Sequence, residues 1–301
     1  MNRKNLLSRL TLQLLRLLPK EGQLTSQVSA VNFFRSDHPE ILQNCFYKPL
    51  LALVVQGYKH SIVAGRQADY SAGQMRTVAL DLPGTYQITD ASPATPFLSI
   101  SVELDRHLIS NLLRMNPSLG NRESITEKPL HAVTVTTASE EILDAFSRLV
   151  RLEETPERVA TLAPLLLQEI HYLALLSEQG PSLCHFCANE PQTPAIVHSI
   201  QWLKEHFAES LSVDYLAERA GMSSSSFFKH FKDTTSLSPV QFQKRLRLQE
   251  AERLMFVEGK NVETAAFCVG YKSSSQFSRE YKRLFGKSPH QDISGKRRNT
   301  Y

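Results

Sequence analysis

Serine, then a base, then a second base recurs at i, i+4 and i+7 in two runs of this 301-residue chain: Ser225, Lys229 and Lys232, and again Ser275, Arg279 and Lys282. Residues so spaced share one face of an α-helix. Such a face suits duplex DNA: a guanidinium fork matches guanine O6 and N7, a serine hydroxyl serves either kind of base-edge group, and lysine neutralises phosphate. Opposite that face each run carries two aromatics four apart, Phe227 with Phe231 and Phe277 with Tyr281, spaced to anchor the helix to its neighbours. A solvated surface is the ordinary reading of one such run. Two copies with the same outward chemistry argue against it.

The copying extends to the elements that must hold these faces. "VDYLAERAGM" matches "VETAAFCVGY" at an offset of 49, and "SSSFFKHFK" matches "SSQFSREYK" at 50, running on to Ser238-Pro239 and Ser288-Pro289. One additional residue near Lys272 accounts for the shift. Each copy reads as a short helix, a glycine turn and a second helix, the helix-turn-helix plan, with Gly221 and Gly270 in the turns and Ser223 and Ser273 placed to cap the second helices. Between the copies, "PVQFQKRLRLQEAERLMFVEG" opens on Pro239, closes on Gly259, and has Leu246, Ala251, Leu254 and Met255 at helical spacing. Roughly twenty residues at about 1.5 Å each make a rod of about 30 Å. That is close to the roughly 34 Å of one turn of B-DNA, so a single chain can set two reading helices into successive major grooves.

Charge follows the same division. Residues 193–301 carry 17 Lys and Arg against 11 Asp and Glu, while the rest of the chain has 17 against 19. A basic module joined to a near-neutral one is the pattern of a polyanion binder with a second function attached. The length predicts two domains, and 42% hydrophobic with 21% charged residues is a globular composition. No run of about 18 uncharged apolar residues occurs, so no membrane span is predicted. In the leucine-rich start, "NLLSRLTLQLLRLLP", Arg9 and Arg16 interrupt the apolar stretch and no small-residue cleavage site follows; an amphipathic helix over 5–18 is predicted rather than a secretory signal. The expected place is the cytoplasm, on the nucleoid. Four cysteines are too few for a disulfide framework, so reduced thiols are expected.

Residues 31–105 read as short strands cut by turns: "LLALVVQG", "HSIVAG", "RTVALDLPG" and "PFLSISVELD". Spacing of this kind predicts a small antiparallel barrel or sandwich. The period then changes to helical over 138–179, with Ser139 as N-cap, Pro156 in a first turn and Gly180 as terminator. These helices either close the barrel or form a subunit interface. "GPSLCHFCANEPQTP", 180–194, holds three prolines without periodicity and reads as a linker. The predicted organisation is an α+β two-domain chain: 1–179, the linker 180–194, an all-α domain 195–292, and a frayed basic tail 293–301.

Other candidate chemistry is sparse. Cys184 and Cys187 form a lone CxxC, short of the four ligands of structural zinc; it is either incidental or a redox or electrophile sensor. Cys45 reads as an apolar strand residue or a reactive sensor, and Cys268 as core. His60 stands alone in its stretch, which leaves no metal site, and no cofactor is implied. The "GKS" at Gly286 fails as a phosphate loop because Tyr281 sits where a glycine is needed, and no GxSxG, HExxH or GxGxxG occurs. His230 is placed to meet a phosphate. Nothing marks an enzyme.

Residues 193–292, with "LA…AGMS", "AA…VGY", both aromatic-anchored helices, both Ser-Pro pairs and "RLRLQEAERLM", resemble the DNA-binding domain of the AraC/XylS family of bacterial transcription regulators. By motif position the resemblance implies base-facing roles for Ser225, Phe228 and Lys229 in the first unit and Ser274, Ser275, Ser278 and Arg279 in the second. Lys232 and Lys282 complete the implied interface with duplex DNA. Two residues depart from the family pattern. Ser236 replaces the usual glycine before the first Ser-Pro, and Phe228 is an unusual outward residue that either touches a thymine methyl or packs on a neighbouring helix. Residues 46–105 and the helices after them resemble the N-terminal domain of one subgroup, which implies a cupin-like barrel that senses a small effector or mediates homodimer formation. RNA polymerase is the further partner implied for an activator. A cupin-like enzyme or carrier localised by its basic domain is the competing reading, and a first domain that serves only for dimerisation is a third.

Overall fold

The leucine repeat at the start of the chain forms helix α1, Arg3–Leu17, whose first turn is capped by Asn2 and which buries Leu6, Leu10 and Leu14. The computed structural model describes residues 2–119, 131–187 and 195–300, and two units divide the chain, Met1–Pro194 and Ala195–Tyr301. In the first unit, strands β1 (Gly22–Thr25), β2 (Val31–Ser36), β3 (Glu40–Tyr47), β4 (Leu50–Gln56), β5 (Tyr58–Val63), β6 (Arg66–Ser71), β7 (Gln74–Val78), β8 (Leu82–Ile88), β9 (Phe97–Glu103) and β10 (Val133–Thr137) pair antiparallel throughout. They form a six-stranded sheet, β1-β2-β9-β4-β7-β10, and a four-stranded sheet, β3-β8-β5-β6.

The expected barrel is therefore not closed. Closure needs one ladder of hydrogen bonds running round every strand, and among the described residues no strand pairs in both sheets. The reason lies in "RTVALDLPG", which reads as one strand but breaks at 79–81. Its first half, β7, joins the larger sheet and its second half, β8, the smaller. The chain crosses between layers where a barrel strand would have continued.

Alternation along β4 sorts the two faces of the large sheet. Leu51, Leu53 and Val55 are buried on one side, while Ala52 and Val54 point the other way, with Val54 packed among Tyr70, Ile88 and Phe97. Helices α1, α2 (Arg106–Met115), α3 (Glu140–Arg151), α4 (Pro156–Leu176) and α5 (Gly180–Cys187) complete the unit. Ser139 caps α3 and Pro156 opens α4, as predicted. Arg9 of α1 meets Asp144 of α3 at 2.6 Å, and Arg148 joins Asp144 to Glu169 of α4. By length and composition α4 is apolar enough to cross a membrane; it buries Ala163, Leu166, Ile170, Ala174 and Leu175 in the unit and leaves Leu162 and Leu165 exposed.

The segment read as a linker is partly helical. Gly180 does not end α4 but starts α5, at a turn so tight that a Cβ there would lie 2.0 Å from the Leu175 carbonyl oxygen. Pro181 fits because a first-turn position asks for no backbone donor. Residues 188–194, the remainder of that segment, lie outside the described residues. The CxxC thus occupies the last turn of a helix, where the dipole disfavours a thiolate. Cys187 is buried against Ala79, and burial pushes its thiol up to about 12, which opposes a sensing role.

The second unit consists of α6 (Ala195–Glu205), α7 (Val213–Arg219), α8 (Ser224–Thr235), α9 (Pro239–Phe256), α10 (Val262–Cys268), α11 (Ser274–Phe285) and α12 (Pro289–Thr300), and α9 to α12 share a core around Leu248, Ala251, Leu254, Met255, Phe277 and Tyr281. Leu248 fills the place expected of Leu246, which is half-buried. Cys268, expected in the core, is exposed, because Ala265 and Ala266 supply the buried face of α10. The expected frayed tail is helical to Thr300, held where Lys296 meets Asp292 and Glu252 and where Tyr281 donates to Asp292 at 2.8 Å.

One buried titratable group links these packing facts to pH. His171 of α4 donates from Nδ1 to the Leu167 carbonyl at 2.7 Å and accepts the Asp105 N–H on Nε2 at 3.0 Å. Burial holds its pKa below the ordinary value, so it stays neutral when folded. The unfolded chain takes up a proton there near the usual pKa of about 6.5 while the folded one resists, so stability is lost as pH falls through that range. His171→Gln, which can donate and accept in the same way, is expected to lose less stability than the wild type between pH 7 and pH 5 in denaturant titrations. Equal losses would remove His171 as the titrating group.

Candidate nucleic-acid interface

Helix α8 follows the turn at Gly221 (φ 65°) and α11 the turn at Gly270 (φ 85°), a left-handed conformation that side chains adopt poorly. Ser223 caps α8 through the Ser226 N–H, and Ser273 caps α11 through the Gln276 N–H, both at 3.3 Å. Each Ser-Pro pair begins the next helix. Ser238 and Gln241 form a reciprocal capping box ahead of α9, and Ser288 with Gln291 repeats it ahead of α12. Local side-chain chemistry thus sets the boundaries in both copies.

The aromatic face of each helix is fully buried. Phe227 and Phe231 lie 5.6 Å apart, with Phe231 edge-on to Phe242 of α9; Phe277 and Tyr281 lie 5.5 Å apart, with Tyr271 edge-on to Phe277. This fixes which way the opposite face points. Ser225, Lys229 and Lys232 are exposed on α8, as are Ser275, Arg279 and Lys282 on α11; Ser274 and Ser278 are half-buried at its flank. Phe228 is 43% exposed, so of its two readings the packed one does not hold. His230 is exposed as well.

The basic residues of the unit differ in whether an acid meets them. Lys244, Arg253, Lys260 and Lys296 each meet a carboxylate. Among the described residues Lys229, Lys232, Arg279 and Lys282 meet none. The acid one turn from Gln276, Glu280, is drawn aside by Lys244 at 2.9 Å and by the Tyr271 hydroxyl at 2.8 Å. What remains outward is positive charge without an internal counterion, the condition for binding phosphate. Among the described residues no three His, Cys, Asp or Glu gather as metal ligands; His60 bonds to Asp69 across β5 and β6 instead.

The two copies are tied together by a device with no motif. Arg247, midway along α9, donates from Nε to the Phe207 carbonyl at 2.6 Å, from Nη1 to Gly270 at 3.1 Å, and from Nη2 to Glu209 at 2.7 Å and Ala208 at 3.3 Å. Gln243, one turn earlier, donates to Phe207 and Glu209. Gly270 is pressed against the same segment, where a Cβ would lie 2.1 Å from the Ala208 oxygen. The loop ahead of α7 is thereby fastened to the turn ahead of α11. Sequence reasoning missed this clamp because backbone carbonyls carry no side-chain signature.

Ser236, the departure from the glycine pattern, adopts φ 58° and ψ 12°, the left-handed cap that Gly286 adopts in the second copy. The turn is unchanged and the backbone carries the strain. Ser236→Gly is expected to stabilise the second unit by about 1 kcal/mol, the penalty of a left-handed non-glycine residue. A rise in the denaturant midpoint at constant slope checks it; an unchanged midpoint would mean that the serine side chain offsets the strain.

Comparison with known proteins places these features. The model of the AraC-type transcriptional regulator N-terminus matches residues 27–182, and a helix-turn-helix domain model matches residues 216–293. The transcriptional activator RhaS of Escherichia fergusonii is 35% identical over 99 residues, 33% of this chain and 36% of RhaS. RhaS of Escherichia coli is 32% identical over 90 residues, 30% of this chain and 32% of its own. The chain thus spans about a third of the length of these curated relatives. A crystal structure of apo ToxT from Vibrio cholerae shares the fold, with a TM-score of 0.63 over 89% of this chain and 98% of that one at 10% identity.

Proposed function

The chain belongs to the AraC family of DNA-binding transcriptional regulators, and we propose that it reads a bipartite operator with α8 and α11 in successive major grooves. The observation that carries this is the pair of outward faces whose lysines and arginine have no internal counterion. On α11, Arg279 reads guanine through its fork, with Ser274, Ser275 and Ser278 on neighbouring base edges. On α8, Ser225 and Lys229 read base edges and Phe228 lies against a thymine methyl. Lys232 and Lys282 neutralise phosphates. Helix α9, 18 residues and so about 27 Å long, is the strut between them.

The first unit senses a small effector, and the effector acts by favouring one state of the regulator over another. A second copy pairs through α4. Leu165 is 59% exposed and Leu162 38%, on the wall of a cleft of about 350 Å³ that also holds Arg158 and Glu169. An antiparallel pair of α4 helices centred between Leu162 and Leu165 sets each leucine against the other and each Arg158 against the partner copy's acid, a self-complementary patch. DNA in the cytoplasm, within the nucleoid, is the place of action, and RNA polymerase is the further partner where the outcome is activation.

Selection of bound fragments from random DNA with the full-length protein tests this reading. Arg279→Ala is expected to cost about 1–3 kcal/mol at the selected site and to relax one base position; Lys232→Ala weakens all sequences alike and flattens the salt dependence. Uniform weakening by Arg279→Ala would reduce that residue to a phosphate contact, and an unselective pool would end the proposal. Separately, Leu165→Glu is expected to convert dimer to monomer in sedimentation. A wild type that is monomeric at micromolar concentration would remove the α4 interface.

A further inference from the structure

A guanidinium is fully buried in the first unit with two of its three nitrogens unused. Arg76 of β7 has no exposed surface. Its register partners are Ala52 of β4 and Val135 of β10, so it stands on the face of the large sheet that looks toward the small one. It crosses the gap: Nη1 donates to the Ser61 hydroxyl of β5, and the guanidinium lies 5.5 Å from the Tyr70 ring and 6.0 Å from the Tyr47 ring. Nε and Nη2 are buried and have no hydrogen-bond partner, and among the described residues no carboxylate pairs with Arg76.

An unpaired buried charge is costly, and the atoms left open are informative. Nε–H and Nη2–H lie parallel along one edge of the guanidinium, the edge that receives the two oxygens of a carboxylate. Around it the packing is incomplete. Asn32, Ala52, Ser99 and Ser101, on the same face of the central strands, are half-buried, so this face stays partly open. The Tyr47 hydroxyl is buried nearby, and burial, then its neighbours Cys45 and Tyr70, raise its pKa, so it remains an O–H donor. Lys59 lies 3.9 Å over the Tyr86 ring as a second cation between the sheets, with Glu40 beside the Tyr86 hydroxyl.

We propose that the space between the two sheets binds a small carboxylic acid whose carboxylate seats on the Nε–Nη2 edge of Arg76, with the Tyr47 hydroxyl as a further donor and tyrosine rings as walls. One negative charge answers one buried positive charge. A neutral polyol would leave the guanidinium uncompensated, and the planar Nε–Nη2 edge matches the two oxygens of a carboxylate. The proposal rests on the reading that this unit senses an effector, and supplies the chemical class of that effector.

The test uses the full-length protein with acetate, butyrate, hexanoate and benzoate, each against its neutral amide, and inorganic phosphate. At least one acid is expected to raise the melting temperature in a saturable way while its amide does not, and Arg76→Met is expected to abolish that rise. Without ligand, Arg76→Met is expected to melt at or above the wild type, because it removes a lone buried charge. Amides as effective as acids, a shift that survives Arg76→Met, a response to phosphate alone, or no response to any acid would each overturn the proposal, as would an Arg76→Met protein that melts well below the wild type, since the arginine would then be a structural part of the core. Should Arg76→Met not fold, Tyr47→Phe weakening the response to the acid but not the apo melting temperature gives the same answer. Operator affinity is measured in parallel. An acid that binds through Arg76 without changing operator affinity leaves the site standing and removes the sensing role; a neutral compound that changes operator affinity while no acid does leaves the sensing role and removes the carboxylate.

Discussion

Everything in the DNA-binding unit is referred to one fastening: the guanidinium of Arg247 on the carbonyls of Phe207, Ala208, Glu209 and Gly270. Each helix-turn-helix copy is well specified by its own caps and aromatics, yet nothing within a copy relates it to the other. A helix that joins two bodies sets their separation but leaves their rotation open unless its flanks are pinned. Arg247 and Gln243 pin them by holding the loop that enters the first copy against the turn that begins the reading helix of the second. Burial holds the Arg247 pKa below its ordinary value, but an arginine remains charged throughout the accessible range. The carbonyls therefore receive charge-assisted bonds, which are stronger than neutral ones.

The duplication is accurate in backbone and unequal in chemistry. Ser236 and Gly286 share a left-handed cap at different cost, and Phe231 and Tyr281 occupy equivalent buried sites with different duties. Phe231 closes on another ring, Phe242, whereas Tyr281 carries a hydroxyl that reaches Asp292 and so recruits α12. The second copy has a helix to hold down and the first has a strut to start. Their outward faces differ in the same sense, with lysine at the centre of one and arginine at the centre of the other, so only the second presents a planar fork of donors.

How much of this was legible follows from the range of the interactions. Helix ends, turns and the two reading faces depend on residues within four positions of one another, and Ser223, Ser273, Ser139 and Pro156 do what their types predict. Sheet closure depends on partners tens of residues away. "RTVALDLPG" has the composition of one strand and supplies one to each sheet, and nothing local distinguishes those outcomes. Proline misled at Gly180–Cys187, since Pro181 is compatible with a first turn and the apolar residues after it, Leu183 and Phe186, already had helical spacing. Arg76 and Arg247 show the same limit at the level of function. Each looks like an ordinary basic residue until the fold shows what faces it.

The claim that the two reading helices act as one rigid probe is tested most directly by moving the half-sites of the selected operator relative to each other. Insertion of about five base pairs, roughly half a helical turn, carries the second half-site to the opposite side of the duplex. The account predicts that the full-length protein then falls to the affinity of a single half-site, and that Arg247→Met, with the fastening gone, discriminates less between the two spacings. Equal affinity of the wild type for both spacings would contradict it.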